Sequence, residues 1–246
     1  MLTLQSKQRI FDASNSQRDR FTRWAVAITL KALLKQLQPF ISSGVYTNSS
    51  INKSIKGTEI DKLVGDIYTR VGGRFASATY NGLIKKKAAF DEAEFNRLLS
   101  EYLGIEGAEK VVMITGTTKD ILKRIIIDAQ EQGMSVQQTA KFIKERVKPL
   151  YKNRALTIAR TETIASSNYG SITGARMTGL DLVKEWIPAL DGRTRTDHRN
   201  MSAKKKPLDK PFSVGSDLMD YPLDGSLGAS AKNIVNCRCS IGYSKK

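Results

Sequence analysis

Apolar residues recur at helical spacing along the chain up to residue 177. The first such segment runs from Ser16 to Gln38, and we expect Pro39 to end it because proline lacks the amide hydrogen that a helix needs. Residues 42–57 are polar and lose this spacing. We therefore expect a loop there that is either mobile or held by a partner.

The clearest helical pattern begins at Thr58, a residue type that favours the amino-terminal cap of a helix. Its apolar stripe extends from Ile60 to Phe75. Gly72-Gly73 lies inside the stripe and predicts either a kink or a close crossing of two helices. A shorter helix is predicted over residues 91–103.

The spacing predicts three further helices, over residues 117–133, 135–148 and 153–177. Ser135 and Gln138 form a capping-box pair at the start of the second of these helices. We expect Pro149 to close that helix and Gly179 to end the third.

The pattern changes to strands and loops after residue 180. Residues 182–187 alternate as a strand does, Asp191-Gly192 predicts a turn, and residues 234–243 predict a last strand. Residues 201–232 are rich in proline and glycine and predict loops. The fold class is therefore α+β, a mostly helical N-terminal body followed by a small mixed α/β module with a short antiparallel sheet.

The chain of 246 residues is strongly basic, with a formal net charge of +16. This charge predicts a partner of dense negative charge: nucleic acid, an acidic protein surface or an anionic membrane. Two lysine runs are the best local candidates for phosphate contacts: Lys85, Lys86, Lys87 and Lys204, Lys205, Lys206. Aromatic residues are not interleaved with these runs, so we expect DNA binding to be independent of sequence and sensitive to salt.

The use of cysteine and the early apolar segments indicate the compartment. Two cysteines in a chain of this length argue against a secreted protein framed by disulfides. The N-terminus lacks an apolar segment of signal-peptide length, and residues 24–34 are too few to span a bilayer. We therefore expect synthesis in a reducing cytoplasm.

The single histidine and both cysteines lie in the last sixty residues, as His198, Cys237 and Cys239. One interpretation is a zinc site, with Asp197 or water as the fourth ligand. On a regular strand, residues two apart place their side chains roughly 6–7 Å from each other. Two thiolates on one ion would therefore need a bend in the chain.

The interpretation that we favour is structural. Both cysteines are then small apolar residues on the inner face of the last strand, together with Val235 and Ile241. Trp186 supplies the bulk of a small core, while Arg193 and Arg195 fix nearby loops through their guanidinium groups.

The sequence also limits the enzyme classes. A single histidine excludes two-histidine nuclease sites, and the chain lacks a phosphate loop of the Gly-x4-Gly-Lys-Ser/Thr type. The segment Arg160-Thr-Glu-Thr163 suggests an ADP-ribosyl-transferring site, but it lacks a Glu-x-Glu partner. We predict no enzyme activity and no cofactor other than the zinc considered above; the alternative is a zinc- or thiol-dependent enzyme that uses the histidine and the cysteines.

Several motifs together resemble the Mu F-like minor head proteins of tailed bacteriophages, also called head morphogenesis proteins. The motifs are Ala159-Arg-Thr-Glu-Thr163, Ala165, Asn168, Gly170, Trp186, Asp191-Gly-Arg-Thr-Arg195, His198, Phe212 and Asn236-Cys-Arg-Cys239. The residues to which the resemblance gives a structural role are Arg160, Glu162, Trp186, Asp191, Arg193, Arg195, His198, Asn236, Cys237 and Cys239. The resemblance covers about residues 110–246, so we divide the chain into an N-terminal helical region, 1–110, and a Mu F-like module, 111–246.

The resemblance implies a virion protein of few copies, made in the bacterial cytoplasm and placed inside the capsid near the portal vertex. Its implied partners are the portal protein, the major capsid or scaffolding protein, and packaged double-stranded DNA, with self-association around the portal as a further expectation. We expect residues 1–110 to dock on portal or capsid, and we expect ejection with the genome as some relatives show. Neither a membrane contact in the assembled head nor a toxin domain after the module is expected. The remaining alternative is a nucleic-acid-binding protein outside any virion.

Overall fold

The computed structural model describes residues 4–84, 89–189 and 191–246. The helices are α1 (Leu4–Ser43), α2 (Asn48–Ser54), α3 (Thr58–Ile67), α4 (Gly73–Leu83), α5 (Glu92–Tyr102), α6 (Ala108–Glu131), α7 (Val136–Met177), α8 (Thr196–Arg199) and α9 (Ala231–Ile234). Two π-helical turns, Tyr68–Gly72 and Leu103–Gly107, connect α3 to α4 and α5 to α6. The strands are β1 (Leu182–Ile187), β2 (Lys205–Pro207), β3 (Phe212–Val214), β4 (Asp217–Met219) and β5 (Ser240–Lys245).

The α+β fold class predicted from the sequence is confirmed, because a helical body precedes a module with short antiparallel sheets. Both predicted proline stops are wrong, since Pro39 lies inside α1 and Pro149 lies inside α7. Phe40 and Tyr151, which follow these prolines closely, are fully buried. A proline within a helix costs about 3 kcal/mol, whereas burying one large apolar side chain contributes about 1.5–3 kcal/mol. Burial on either side of each proline therefore offsets its cost.

The expected loop over residues 42–57 is also wrong, because α2 lies inside it. The Ser50 amide donates to the Thr47 hydroxyl at 3.2 Å, and the Thr47 amide donates to the Ser50 hydroxyl at 3.0 Å, which forms a capping box. Ile51 and Ile55 are fully buried. Two apolar anchors and a cap therefore fix a segment whose polar composition suggested mobility.

The other helices lie where they were predicted, with shifted ends, but the two predicted over residues 135–148 and 153–177 form one continuous helix, α7. Helix α3 begins at Thr58 as predicted, and the Ser135–Gln138 capping box is present, with amide-to-side-chain distances of 2.7 and 3.3 Å. Gly179 follows α7 with φ of 64°, as a helix-ending glycine does. Helix α6 starts nine residues before its predicted start.

The predicted close crossing at Gly72 is confirmed. A Cβ atom built on Gly170 would overlap the carbonyl group of Gly72, and one built on Gly174 would overlap that of Ala76. The backbones of α4 and α7 therefore touch directly, and only glycine fits at these two positions of α7.

The chain folds into two compact units, each assembled from separated stretches. The first unit holds the described residues of Met1–Arg23, Ile67–Glu101 and Arg160–Lys246, and the second holds Trp24–Asp66 and Tyr102–Ala159. The division at residue 110 therefore reflects motif content rather than compactness. Residue 110 itself lies inside α6.

The sheets belong to the first unit. Strands β2, β1 and β5 form an antiparallel sheet in that order, with Trp186 opposite Ile241, and β3 pairs with β4. Strand β1 has its predicted bounds, but the last strand begins at Ser240 rather than at residue 234. Across the described ranges, none of the helices combines the length and apolar character needed to cross a lipid bilayer.

Candidate functional site

His198 and the two cysteines meet in one cluster inside the first unit. His198 lies in α8, and the cysteines lie in the segment between α9 and β5. The His198 Nδ1 atom is 3.3 Å from Cys237 Sγ and 3.5 Å from Cys239 Sγ. All three side chains are at most 2% exposed. The structure therefore brings together the three residues that the sequence pattern grouped.

The backbone bends just before the two cysteines, whose sulfur atoms both lie near the same nitrogen. Asn236 has φ of 58°, in the left-handed region that asparagine tolerates, and the Cys237 amide donates to the carbonyl of Ile234 at 3.1 Å. The predicted extended strand through both cysteines is therefore wrong. Val235 is 37% exposed and does not share their environment, whereas Ile241 is buried as expected.

Asn233 fixes the tautomer of His198. The Asn233 amide nitrogen donates to the carbonyl of Val214 at 3.3 Å and to the Asp217 carboxylate at 2.9 Å. Its carbonyl oxygen therefore faces His198 Nε2, at 3.2 Å. An acceptor at this position requires Nε2 to carry the hydrogen, which leaves the Nδ1 lone pair of a neutral imidazole directed at the sulfur atoms.

Asp217 is held in turn by Ser230. The backbone amide and the hydroxyl of Ser230 donate to the Asp217 carboxylate at 2.9 and 2.6 Å. Hydrogen bonds from Ser230 and then Asn233 lower the pKa of Asp217 to about 2. A chain of polar contacts thus runs from the surface at Ser230 to the buried ring of His198.

Trp186 forms the apolar wall of the cluster. Its ring is fully buried and meets the His198 ring edge-on, with centroids 5.7 Å apart, and the Phe212 ring at 5.4 Å. The predicted core role of Trp186 agrees with this position. Aromatic packing on one side and the Asn233 contact on the other fix the orientation of the imidazole.

Arg18 is the main residue that the sequence analysis missed. It is 3% exposed and donates to Ser167, Asn168 and Ser240, at 2.7, 2.6 and 2.6 Å. Burial lowers the pKa of Arg18 to about 10, while the neighbouring cysteines act in the opposite direction. A charged residue at position 18, seven residues before the buried Ala25 of the same helix, was the available signal.

Asn168 links Arg18 to the cysteine segment. Its carbonyl accepts from Arg18, and its amide nitrogen donates to the carbonyls of Cys239 at 3.1 Å and Pro222 at 2.9 Å. The cysteine thiols differ in their environment. Burial raises the pKa of Cys237, whereas the hydrogen bond with Cys237 lowers the pKa of Cys239.

A pocket of about 530 Å³ lies in the same unit, beside the cysteine segment. Its lining includes five arginines, namely Arg18, Arg160, Arg193, Arg195 and Arg238. Asp19 is the acidic residue of the lining, which also holds Asn236. The pocket is thus strongly positive, and its guanidinium groups suit phosphate or carboxylate ligands.

Of the two arginines predicted to fix nearby loops, one does so, and a third arginine takes the place of the other. Arg195 donates to the carbonyl of Val235 at 2.6 Å and fixes that loop as expected. The two-point partner of Asp191 is Arg238, whereas Arg193 is 3.7 Å from the same carboxylate and largely exposed. The pairing with Arg238 spans 47 positions and leaves no local signal.

The remaining predicted site residues lie in different surroundings. Glu162 is buried and accepts from the Tyr68 hydroxyl at 3.4 Å. Asp197 lies 4.0 Å from the Lys232 amine and does not join the cluster of metal-ligand atoms. Lys204 and Lys206 are exposed, and Lys205 lies 3.9 Å from Glu185. The run Lys85–Lys87 falls outside the described residues.

Comparison with known proteins adds three findings. The family described as Phage Mu protein F like protein matches residues 120–242. The NAD(+)--arginine ADP-ribosyltransferase EFV of Enterococcus faecalis (strain ATCC 700802 / V583) is 30% identical over 118 residues, which are 47% of this chain and 23% of that protein. The chain thus spans about a quarter of the length of this relative. No solved structure matches the chain.

Proposed function

The chain belongs to the phage Mu protein F like family of head morphogenesis proteins, and from this membership we propose that it is a minor protein of the head interior. It sits near the portal vertex and contacts the portal protein, the capsid or scaffold, and the packaged DNA. The family match over half of the chain carries the proposal. Self-association around the portal and ejection with the genome belong to the same proposal.

The charge of the chain supports a contact with packaged DNA. The formal net charge is +16, and the pocket collects five arginines within the first unit. A guanidinium group can donate two hydrogen bonds to one phosphate. Contacts with the phosphate backbone of DNA do not distinguish one base from another. We therefore assign the DNA contact to Arg160 and Arg193 of the pocket, with exposed Lys204 and Lys206 as further contributors.

The DNA contact is tested by the salt dependence of binding. We expect the affinity of the full chain for duplex DNA to be independent of sequence and to fall steeply as salt rises. Replacing Arg160 and Arg193 with Gln reduces the slope of log K against log salt by about two. The matched control replaces Lys62 and Lys141, two exposed lysines outside the pocket, with Gln; an equal change in this control contradicts the assignment to the pocket.

The place in the head is tested by co-assembly. The full chain is expressed with portal protein alone, and separately with the full set of head proteins, followed by affinity capture and sedimentation. We expect capture with portal and recovery in procapsids. Recovery with DNA but in neither assembly supports the alternative, a nucleic-acid-binding protein outside the virion.

We propose that the chain is not an enzyme, although a relative carries the name of an ADP-ribosyltransferase. A thiol nucleophile needs access to substrate, and His198, Cys237 and Cys239 are at most 2% exposed. Glu162 is buried against Tyr68 rather than placed in the arginine pocket. The full chain incubated with labelled NAD⁺ and an arginine-rich acceptor is expected to transfer no label. Transfer that is lost on Glu162→Gln contradicts this proposal.

A further inference from the structure

We propose that His198, Cys237 and Cys239 bind one zinc ion within the first unit, independently of any role of the chain in the head. Three ligand atoms, one imidazole nitrogen and two sulfurs, lie within 4.8 Å of one another. Zn²⁺ takes sulfur at about 2.3 Å and nitrogen at about 2.0–2.1 Å in a tetrahedral arrangement. Such an arrangement separates nitrogen from sulfur by about 3.5 Å. The two observed distances are 3.3 and 3.5 Å.

The orientation of the histidine matches that of a metal ligand. Asn233 accepts from His198 Nε2, so the lone pair of Nδ1 faces both sulfurs. Histidines that bind metals commonly donate the other ring hydrogen to such an outer partner, which fixes the tautomer. Asn233 is itself fixed by Asp217 and by the carbonyl of Val214, so the outer contact does not depend on one hydrogen bond alone.

The Cys-x-Cys spacing does not keep the two sulfurs too far apart for one ion. Both sulfurs lie within 3.5 Å of His198 Nδ1, and all three ligand atoms lie within 4.8 Å of one another, closer than a regular strand allows. Without an ion, the single Nδ1 lone pair accepts from one S–H group at a time, although both sulfurs lie within 3.5 Å of it. An ion that replaces both thiol hydrogens satisfies all three groups at once.

The donor set selects the metal. Two thiolates and one imidazole are soft or borderline ligands, which favour Zn²⁺ over Mg²⁺ or Ca²⁺. Among residues 4–84, 89–189 and 191–246, the group contains no carboxylate, so the fourth position is left to a water molecule. Burial of the three ligands and the Trp186 wall suit an ion that holds the fold together.

Metal analysis of the purified full chain tests the site. After growth in zinc-supplemented medium and removal of loosely bound metal, we expect about one zinc per chain. Cobalt exchanged for zinc is expected to show the visible absorption of a tetrahedral thiolate site. Zinc well below one per chain, together with the absence of this cobalt spectrum, overturns the proposal.

Substitutions distinguish the loss of a zinc ligand from the loss of packing around the site. We expect Cys237→Ser with Cys239→Ser to abolish zinc binding, and Asn233→Ala to weaken it by about 10–100-fold through the histidine. Phe212→Leu is the control, because it loosens the Trp186 wall without removing a ligand and should keep one zinc. If the double serine variant does not fold, the zinc affinities of the wild type and of Asn233→Ala are each measured by competition with a zinc-binding dye and compared. Equal zinc affinity of these two proteins overturns the proposed site.

Discussion

The segment Asn236–Cys239 borders two environments that differ in every physical respect. Cys237 and Cys239 point into a buried cluster, whereas Asn236 and Arg238 line the arginine pocket. The cluster is held by short contacts among buried side chains, while the pocket collects arginines. One stretch of four residues therefore contributes to a buried cluster on one side and to the pocket lining on the other, and changes on the two sides should have separable effects.

The largest effect is expected from Trp186, which packs against the buried cluster at His198. Trp186→Ala should lower the free energy of unfolding by about 3–5 kcal/mol, because it leaves a large cavity beside His198. Urea unfolding followed by circular dichroism measures this loss. The chain's other tryptophan, Trp24, is half-buried, and Trp24→Ala should cost less; an equal or larger loss there contradicts the central position of Trp186.

Arg18 tests whether the two environments are mechanically linked, since it borders both. Arg18→Met removes three hydrogen bonds and should cost about 2–3 kcal/mol. Arg18→Lys keeps the charge but cannot reach three acceptors as a planar guanidinium does, so it should recover only part of the loss. Full recovery with lysine, in thermal unfolding, indicates that charge rather than geometry is required.

The bend between the environments is tested at Asn236. Asn236→Ala should destabilise the protein by about 1 kcal/mol, because alanine disfavours the left-handed backbone. Asn236→Gly removes the same side chain but accepts this conformation, so its stability should stay near that of the wild type. Equal losses in the two variants show that the side chain, not the backbone, matters. Both are measured by chemical unfolding.

The smallest effect concerns pH. Hydrogen bonds from Ser230 and Asn233 lower the pKa of Asp217 to about 2, below the ordinary value of about 3.9 in an unfolded chain. Its stabilisation is therefore complete above about pH 5 and is lost as pH falls towards 2. The difference in melting temperature between wild type and Asp217→Asn, measured in chelator, should shrink over that interval. A difference that stays constant from pH 6 to pH 2 shows that the carboxylate charge does not contribute.

Local patterns predicted local structure well. Strand β1 has its predicted bounds because alternation needs only neighbouring residues, and Gly72 marked a real helix crossing because close approach requires a missing side chain. Pro39 and Pro149 do not end their helices as predicted. The burial of Phe40 and Tyr151 just after them offsets the hydrogen bond that each proline removes. Periodicity shows which face of a segment is buried but not whether burial beyond a proline offsets its cost.

The site was predicted in its members but not in its geometry. The rare residues His198, Cys237 and Cys239 stood out by composition, yet the bend at Asn236 depends on one backbone angle that periodicity does not encode. Arg18 was missed because its partners lie about 150 and 222 positions away. Sequence motifs therefore reveal site residues that contact one another within the motif, but not residues such as Arg18 whose partners lie far along the chain.

The interleaved first unit has a consequence for biosynthesis. Arg18 must wait for Ser240, its partner 222 residues later, so this unit cannot close while the ribosome is still making the intervening chain. Translation proceeds at about 5–20 residues per second, and contacts of long sequence separation form slowly. The second unit, completed by residue 159, is available to fold many seconds earlier. During that interval Arg18 lacks its native partner Ser240, so the amino-terminal segment cannot reach its final packing.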